Sequence, residues 1–395
     1  MKYRRFGRTE LRMPVFSCGG MRYQQAWKDV DWSEVEAAGQ KNLEATICRS
    51  LELGINHIET ARGYGSSEMQ LGKILPSLPR EEMIIQTKVA PNADPRQFLE
   101  TFETSMRYLQ LDYVDLLGLH GINNREVLNW SLGKGGCLSA ALQLKKEGRV
   151  RHVGFSTHAP CEVIVEAIED GGFDYVNLHW YYINQRNWPA IEAATAQDMG
   201  VFIISPSDKG GKLYAPTPKL SDCCAPLTPM AFNDLFCLAT PQVHTLSLGA
   251  ARPSDFDAHV AALNDYETAA ETVAPIVDRL EAELRAVAGS EWLNYIRGPL
   301  PEWDAVPGDL NLQVISQLWT LAKAFDMIDY GKMRYNMLGN AGHWFPGQKY
   351  SPELEAACRE FLHGSAQAET ALQALREADE WFRGEEKKRL SNTDG

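Results

Sequence analysis

The chain is predicted to fold as a closed (β/α)8 barrel with an N-terminal hairpin and a C-terminal helical appendage. Three observations lead there. Short apolar runs alternate with segments of helical apolar spacing through residue 263. Eight such runs can be counted, the number that closes a barrel. No G-x-G-x-x-G turn follows the first run, although an open doubly wound sheet usually carries one there.

Taken in order, residues 3–11 read as a small hairpin turning at Gly7-Arg8-Thr9. The first apolar run, 15–18, stops at Gly19-Gly20, and a helical spacing over 42–53 stops at Gly54. Strand 55–58, helix 67–75, strand 83–87 and helix 97–109 follow. Run 114–119 is apolar apart from Asp115, as in a strand covered on both faces. Next come helix 138–146, strand 152–155, helix 161–168, strand 175–178, helix 190–197 and strand 201–205. Residues 206–239 break the rhythm and read as a long connection, before strand 245–248 and helix 253–263. The barrel is therefore placed at 1–267 and the helical extension at 268–395. Within the extension, 272–288 and 309–327 read as helices. Residues 330–347, rich in aromatics, Gly and Asn, read as a structured loop, and 353–389 as a charged helix ending in a disordered polar tail.

Composition narrows the function. Hydrophobic residues make up 44% and charged residues 23%, ordinary for a soluble globular protein. A net charge of −13 argues against nucleic acid or an anionic membrane as a partner held by bulk electrostatics. No run is apolar enough to span a bilayer, and the basic start lacks the apolar core of a signal peptide, so a cytoplasmic location is expected. The eight cysteines include no C-x-x-C pair, and the adjacent Cys223 and Cys224 read as reduced thiols. Nothing in the pattern speaks to oligomeric state.

In a barrel, catalytic side chains lie at the C-terminal strand ends. Glu59, Tyr64, Lys88 and His120 are so placed. A lysine directly after a buried strand is costly unless paired or facing a cleft. A carbonyl reduced by hydride needs a proton on its oxygen. A tyrosine supplies it if a nearby ammonium stabilises the phenolate. A carboxylate holds that ammonium, and an imidazole orients the carbonyl. His57 and His152 read as structural, while His179-Trp180-Tyr181-Tyr182 either shapes the pocket or packs the rim.

The residues around these four resemble the aldo-keto reductases. Gly54-Ile55-Asn56-His57-Ile58-Glu59-Thr60-Ala61-Arg62-Gly63-Tyr64-Gly65, Thr87-Lys88, the stretch from Asp112 to His120 and Val150-Arg151-His152-Val153-Gly154-Phe155-Ser156 carry the likeness, over roughly residues 1–265. The family's tetrad carries over as Tyr64, Lys88 and His120, with Glu59 where the family has aspartate. The resemblance implies a nicotinamide dinucleotide, NADP(H) or NAD(H), bound without a Rossmann fold, and a small-molecule carbonyl as substrate. It implies cofactor contacts from Ser156, His158, Asn177, Ser205, Lys209, Gly210, Gly211, Gly249, Arg252 and Asp255. Ile204 stands where the family often stacks an aromatic residue. Asp255 stands where NADP-dependent members carry arginine, and a carboxylate there should repel a 2′-phosphate. The stretches 307–312 and 330–340 resemble a branch with a ferredoxin-like tail, but its cysteine run is absent, so no iron–sulfur cluster is expected. The alternative is a nucleotide-sensing or interaction module that keeps the fold with weak or no catalysis.

Overall fold

The computed structural model describes residues 1–23 and 27–387. The described part divides into two compact units. One comprises residues 1–210 and 233–270, the other 211–232 and the region from 271 onward.

The first unit opens with the antiparallel pair β1 (Tyr3–Arg5) and β2 (Arg12–Pro14). Between them Phe6 is fully buried. Its ring packs on Tyr175 and His244, with centroids 5.8 and 5.6 Å away. Eight parallel strands follow: β3 (Phe16–Gly19), β4 (His57–Glu59), β5 (Ile84–Val89), β6 (Val114–His120), β7 (Val150–Ser156), β8 (Tyr175–Leu178), β9 (Gly200–Ile203) and β10 (Thr245–Leu248). They close in chain order, with β10 pairing β3. The barrel, its hairpin and the helices beyond it are as expected from the alternation.

Between the strands lie α1 (Ala37–Glu52), α2 (Ser67–Leu71), α3 (Pro95–Leu109), α4 (Arg125–Leu132), α5 (Cys137–Lys146), α6 (Cys161–Glu169) and α7 (Trp188–Ala196). Asp94 and Asn124 cap α3 and α4 by accepting from backbone N–H groups. The helices bury one face each. Leu43 and Ile47, Phe98 and Phe102, and Val163 and Ala167 sit at four-residue spacing in the core.

The supposed connection 206–239 is not irregular throughout: it holds α8 (Pro218–Cys224) and α9 (Pro229–Leu238). Both start at proline, which is compatible with a first helical turn. After β10 comes α10 (Asp255–Ala262), then α11 (Ala269–Ala288), α12 (Ser290–Arg297), α13 (Leu312–Phe325), α14 (Ile328–Tyr335), α15 (Glu355–Phe361) and α16 (Ala368–Phe382). Helix α14 lies where a loop was expected. Its Gly331 is a packing residue: a Cβ there would come within 2.3 Å of the Phe382 ring. The charged run 353–387 is two helices broken near Gly364, whose φ is +86°. Residues 388–395, where a disordered tail was expected, lie outside the described residues.

Phe6, Met13, Ile84, Leu116, Tyr175 and Phe202 form an apolar cluster with the hairpin, and a polar network lies in the barrel beside it. Ser17 Oγ meets His57 Nδ1 and Thr245 Oγ1, both at 2.7 Å. His57 Nε2 meets Gln86 Oε1 at 3.0 Å, and Gln86 donates to Tyr175 at 3.3 Å. His57 opens β4, and His152 lies inside β7.

Candidate active site

Strand register gathers the predicted residues. Gly19 pairs with Glu59, and Glu59 with Gln86. Lys88 pairs with Gly118, His120 with Ser156, and Ser156 with Asn177. Successive strands therefore present these side chains along one rim.

Space for the charged pair comes from two glycines. A Cβ on Gly118 would lie 3.0 Å from Lys88 Cγ, and a Cβ on Gly19 would lie 3.3 Å from Glu59 Oε2. Lys88 and Glu59 are almost out of solvent, with side-chain exposures of 1% and 4%. The Lys88 ammonium donates to Glu59 Oε1 and to the Thr60 carbonyl, the latter at 2.8 Å. Ser247 offers its hydroxyl to Glu59 Oε2 at 3.5 Å. Tyr64, partly buried, makes a long contact of 3.4 Å from its hydroxyl to Glu59 Oε1. Lys88 Nζ lies 4.7 Å from the centre of the Tyr64 ring. The His120 ring stands edge-on to Tyr64, with centroids 5.6 Å apart.

Burial pushes the Tyr64 phenol up. The ammonium lies over the ring rather than at the hydroxyl, and its hydrogen bonds go to Glu59 and Thr60. Burial also pushes Lys88 well down. The carboxylate and the carbonyl oppose that push by favouring the charged form.

Beyond β6 the rim changes character. Ser156 accepts from the Gly121 N–H at 3.1 Å. Asn177 is fully buried, and neither its Oδ1 nor its Nδ2 has a hydrogen-bond partner. An orphaned buried amide costs about 1–3 kcal/mol unless something meets it. That is what a site for another amide looks like, so the residues present fit a nicotinamide carboxamide.

His158, His179 and Lys209 form a second cluster. His179 Nε2 lies 3.0 Å from His158 Nδ1, and Lys209 Nζ lies 3.2 Å from each. Ser205 takes a left-handed conformation, with φ +54°, and its carbonyl accepts from the Lys209 N–H at 3.1 Å. A Cβ on Gly210 would lie 1.9 Å from the Pro206 carbonyl oxygen, so only glycine closes this turn. Gly211 belongs to the second unit. Gly249 faces Arg22, whose Nε lies 2.9 Å from where a Cβ would stand. Arg252 and Asp255 pair with each other at 2.9 Å, and Asp255 also accepts from the Ala251 N–H.

Several participants were missed from sequence. Arg22 donates to both Asp208 oxygens at 2.5 Å, joining the loop after β3 to the loop after β9. Both follow strand ends, and that position was the available signal. Asn123 accepts from the His158 N–H at 2.7 Å, and the Thr60 carbonyl steadies Lys88. A backbone carbonyl carries no residue-type signal at all.

A parallel barrel with a buried carboxylate–ammonium pair beneath a phenol, and an imidazole beside it, defines an enzyme of acid–base type. The chain belongs to the aldo-keto reductases and is an oxidoreductase of that type: residues 16–210 match the model of the Aldo/keto reductase family. It is 25% identical over 256 residues to L-galactose dehydrogenase of Arabidopsis thaliana, an alignment spanning 57% of this chain and 78% of that protein. It is 26% identical over 188 residues to the NADH-specific methylglyoxal reductase of Escherichia coli, covering 42% of this chain and 56% of the relative, so only about half of that relative is spanned. Among solved structures, an aldo-keto reductase from Bacillus halodurans superposes with a TM-score of 0.59 at 22% identity, over 71% of this chain and 96% of that one. One from Klebsiella pneumoniae in complex with NADPH superposes with a TM-score of 0.54 at 19% identity, over 69% and 93%. At these identities the structures speak to the fold. Among the described residues no helix is long and apolar enough to cross a membrane.

Proposed function

We propose that this chain reduces the carbonyl of small aldehydes or ketones with a dihydronicotinamide dinucleotide, and that Tyr64 gives the proton. The observation that carries this reading is the buried Lys88–Glu59 pair beneath the Tyr64 ring. So much polar burial at a strand end is expensive and is characteristic of a catalytic rim. Ser156 and Asn177 would hold the carboxamide, and the Ser205–Gly210 turn with Gly249 the phosphates. Bound there, the dinucleotide supplies hydride. Tyr64 hands its proton to the carbonyl oxygen as charge develops there, and the Lys88 ammonium beneath the ring offsets the charge left on the phenolate. Glu59 keeps Lys88 charged and in position. His120, edge-on to Tyr64, orients the substrate oxygen.

The Arg252–Asp255 pair supports NADH over NADPH. The guanidinium that would meet a 2′-phosphate already has a carboxylate partner, and that carboxylate would repel the phosphate. The relatives named for methylglyoxal, L-glyceraldehyde 3-phosphate and L-galactose make small oxo-aldehydes and short sugars the first substrates to try.

The test follows loss of dihydronicotinamide absorbance with methylglyoxal, glyceraldehyde and simple ketones, using NADH and NADPH in parallel. Turnover lost in Tyr64→Phe supports the assignment. A fully active variant removes Tyr64 from the chemistry.

A further inference from the structure

A second buried carboxylate takes no part in the proton transfer described above. Glu68, on α2, is fully out of solvent. Its Oε1 accepts from the Thr87 hydroxyl at 2.5 Å, and its Oε2 accepts from the Arg62 guanidinium at 2.6 Å. Thr87 directly precedes Lys88 in β5, and Arg62 stands two residues before Tyr64. One carboxylate therefore grips both the strand that carries the ammonium and the turn that carries the phenol. The main chain adds two links. The Arg62 N–H donates to the Lys88 carbonyl at 2.9 Å, and the Tyr64 carbonyl accepts from the Ser67 N–H at 3.1 Å.

The surroundings hold this grip in place. Gly72 follows α2 directly, and a Cβ there would lie 1.8 Å from the Tyr108 carbonyl oxygen, so α2 is pressed against the last turn of α3. The Arg62 guanidinium lies 4.7 Å from the centre of the Tyr108 ring, and its side chain is 13% exposed. Its other arm donates to Asp29, whose side chain is largely in solvent, and exposed pairs contribute little. The Glu68 end is different, because losing one partner of a buried pair leaves an uncompensated charge. Between Arg62 and Tyr64, Gly63 faces the imidazole: a Cβ there would lie 3.5 Å from His120 Cε1. A shift of this turn therefore moves the phenol relative to Lys88 and His120 together.

We propose, on the reading that Tyr64 is the proton donor, that Arg62 and Glu68 are positioning residues that hold the Tyr64 phenol in register with Lys88 and His120. Neither side chain exchanges a proton with substrate. Their contribution is geometric: a donor already in place transfers its proton without a search. Their loss acts on turnover rather than on NADH binding.

Two variants probe the two ends of Glu68. Glu68→Gln keeps its shape and removes its charge, and Thr87→Val removes only a hydroxyl. Each is compared with wild type by kcat and KM for methylglyoxal or, failing that, glyceraldehyde, by NADH titration, and by the solvent deuterium isotope effect on kcat. Circular dichroism reports folding. Glu68→Gln is expected to lower kcat by at least about tenfold, to leave the NADH dissociation constant within about twofold, and to raise the isotope effect because proton delivery becomes slow. Thr87→Val should move kcat the same way by about threefold, as one hydrogen bond to a buried carboxylate is lost. Placed on Tyr64→Phe, Glu68→Gln should cost less than about twofold more, since residues that act as a unit are not additive. An equal loss in both backgrounds, or kcat near wild type in both folded variants, overturns the positioning role and leaves Tyr64 as donor. If Glu68→Gln fails to fold, Thr87→Val decides alone. A wild type inert toward every carbonyl tried, or a fully active Tyr64→Phe, overturns the donor reading instead, and the positioning role falls with it.

Discussion

Lys88 donates to Glu59 inside the barrel, where both side chains are nearly sealed from solvent. Burying two charges is costly, and their attraction offsets that cost only while both are present. Glu59 is also the point where Tyr64 approaches, so stability and chemistry share one carboxylate.

Lys88→Met should therefore cost about 3–5 kcal/mol, because a buried carboxylate is left without its partner. The double variant with Glu59→Gln should recover a large part of that loss. Urea unfolding of the wild type, both single variants and the double variant measures the coupling directly. Additive losses would show that the pair is not an energetic unit.

Tyr64→Phe should lower turnover by at least about a hundredfold, while the NADH dissociation constant changes less than about twofold. The donor must carry its proton, and burial pushes its phenol up. A raised acid stays loaded at higher pH. Reduction should thus run flat from neutral into the alkaline range before declining. A steady-state profile that halves near neutrality would count against Tyr64 as donor.

His57 is buried neutral and pushed down to about 3. The unfolded chain protonates it near the ordinary value of about 6.5, so between those limits the unfolded state binds more protons and stability falls as pH falls. From pH 7 to pH 5 this one group should remove about 2 kcal/mol. His57→Asn should show a shallower acid loss in urea titrations at the two pH values. An unchanged slope would mean that other groups govern acid stability.

Gly210→Ala puts a methyl 1.9 Å from the Pro206 oxygen, and the turn must open. We expect NADH affinity to weaken by about tenfold or more, since misplacement by about 1 Å is enough for large losses at a binding loop. The melting temperature should move little. A variant that binds normally would remove this turn from the cofactor site.

Asp255→Ser should free Arg252 and remove a repelling carboxylate. NADPH affinity is expected to rise roughly tenfold, the scale of one charge-assisted contact. Parallel fluorescence titrations with both dinucleotides decide this. An unchanged NADPH-to-NADH ratio would move the choice elsewhere.

Much of the architecture was legible because burial writes itself into composition. Strands covered on both faces, such as β6, are mostly apolar, with Asp115 as a buried exception paired to Arg80 and Arg151, and their C-terminal ends are where polarity returns. That is why Glu59, Lys88 and His120 could be named before their geometry was known. The helices α8, α9 and α14 were harder to read. Proline and glycine look like breakers in one dimension, yet Gly331 sits inside a helix because Phe382 needs the space.

The sequence by itself determined the eightfold alternation, the closed barrel and the residue types at the rim, because these depend on local periodicity. Only the tertiary structure decided who meets whom. It placed Tyr64 against the Glu59 carboxylate, left Asn177 without a partner, joined Arg22 to Asp208 and closed the His158–His179–Lys209 triangle. The physical reason is that hydrogen bonds and charge pairs across strands depend on register and distance, and residues far apart in the chain carry no local trace of them.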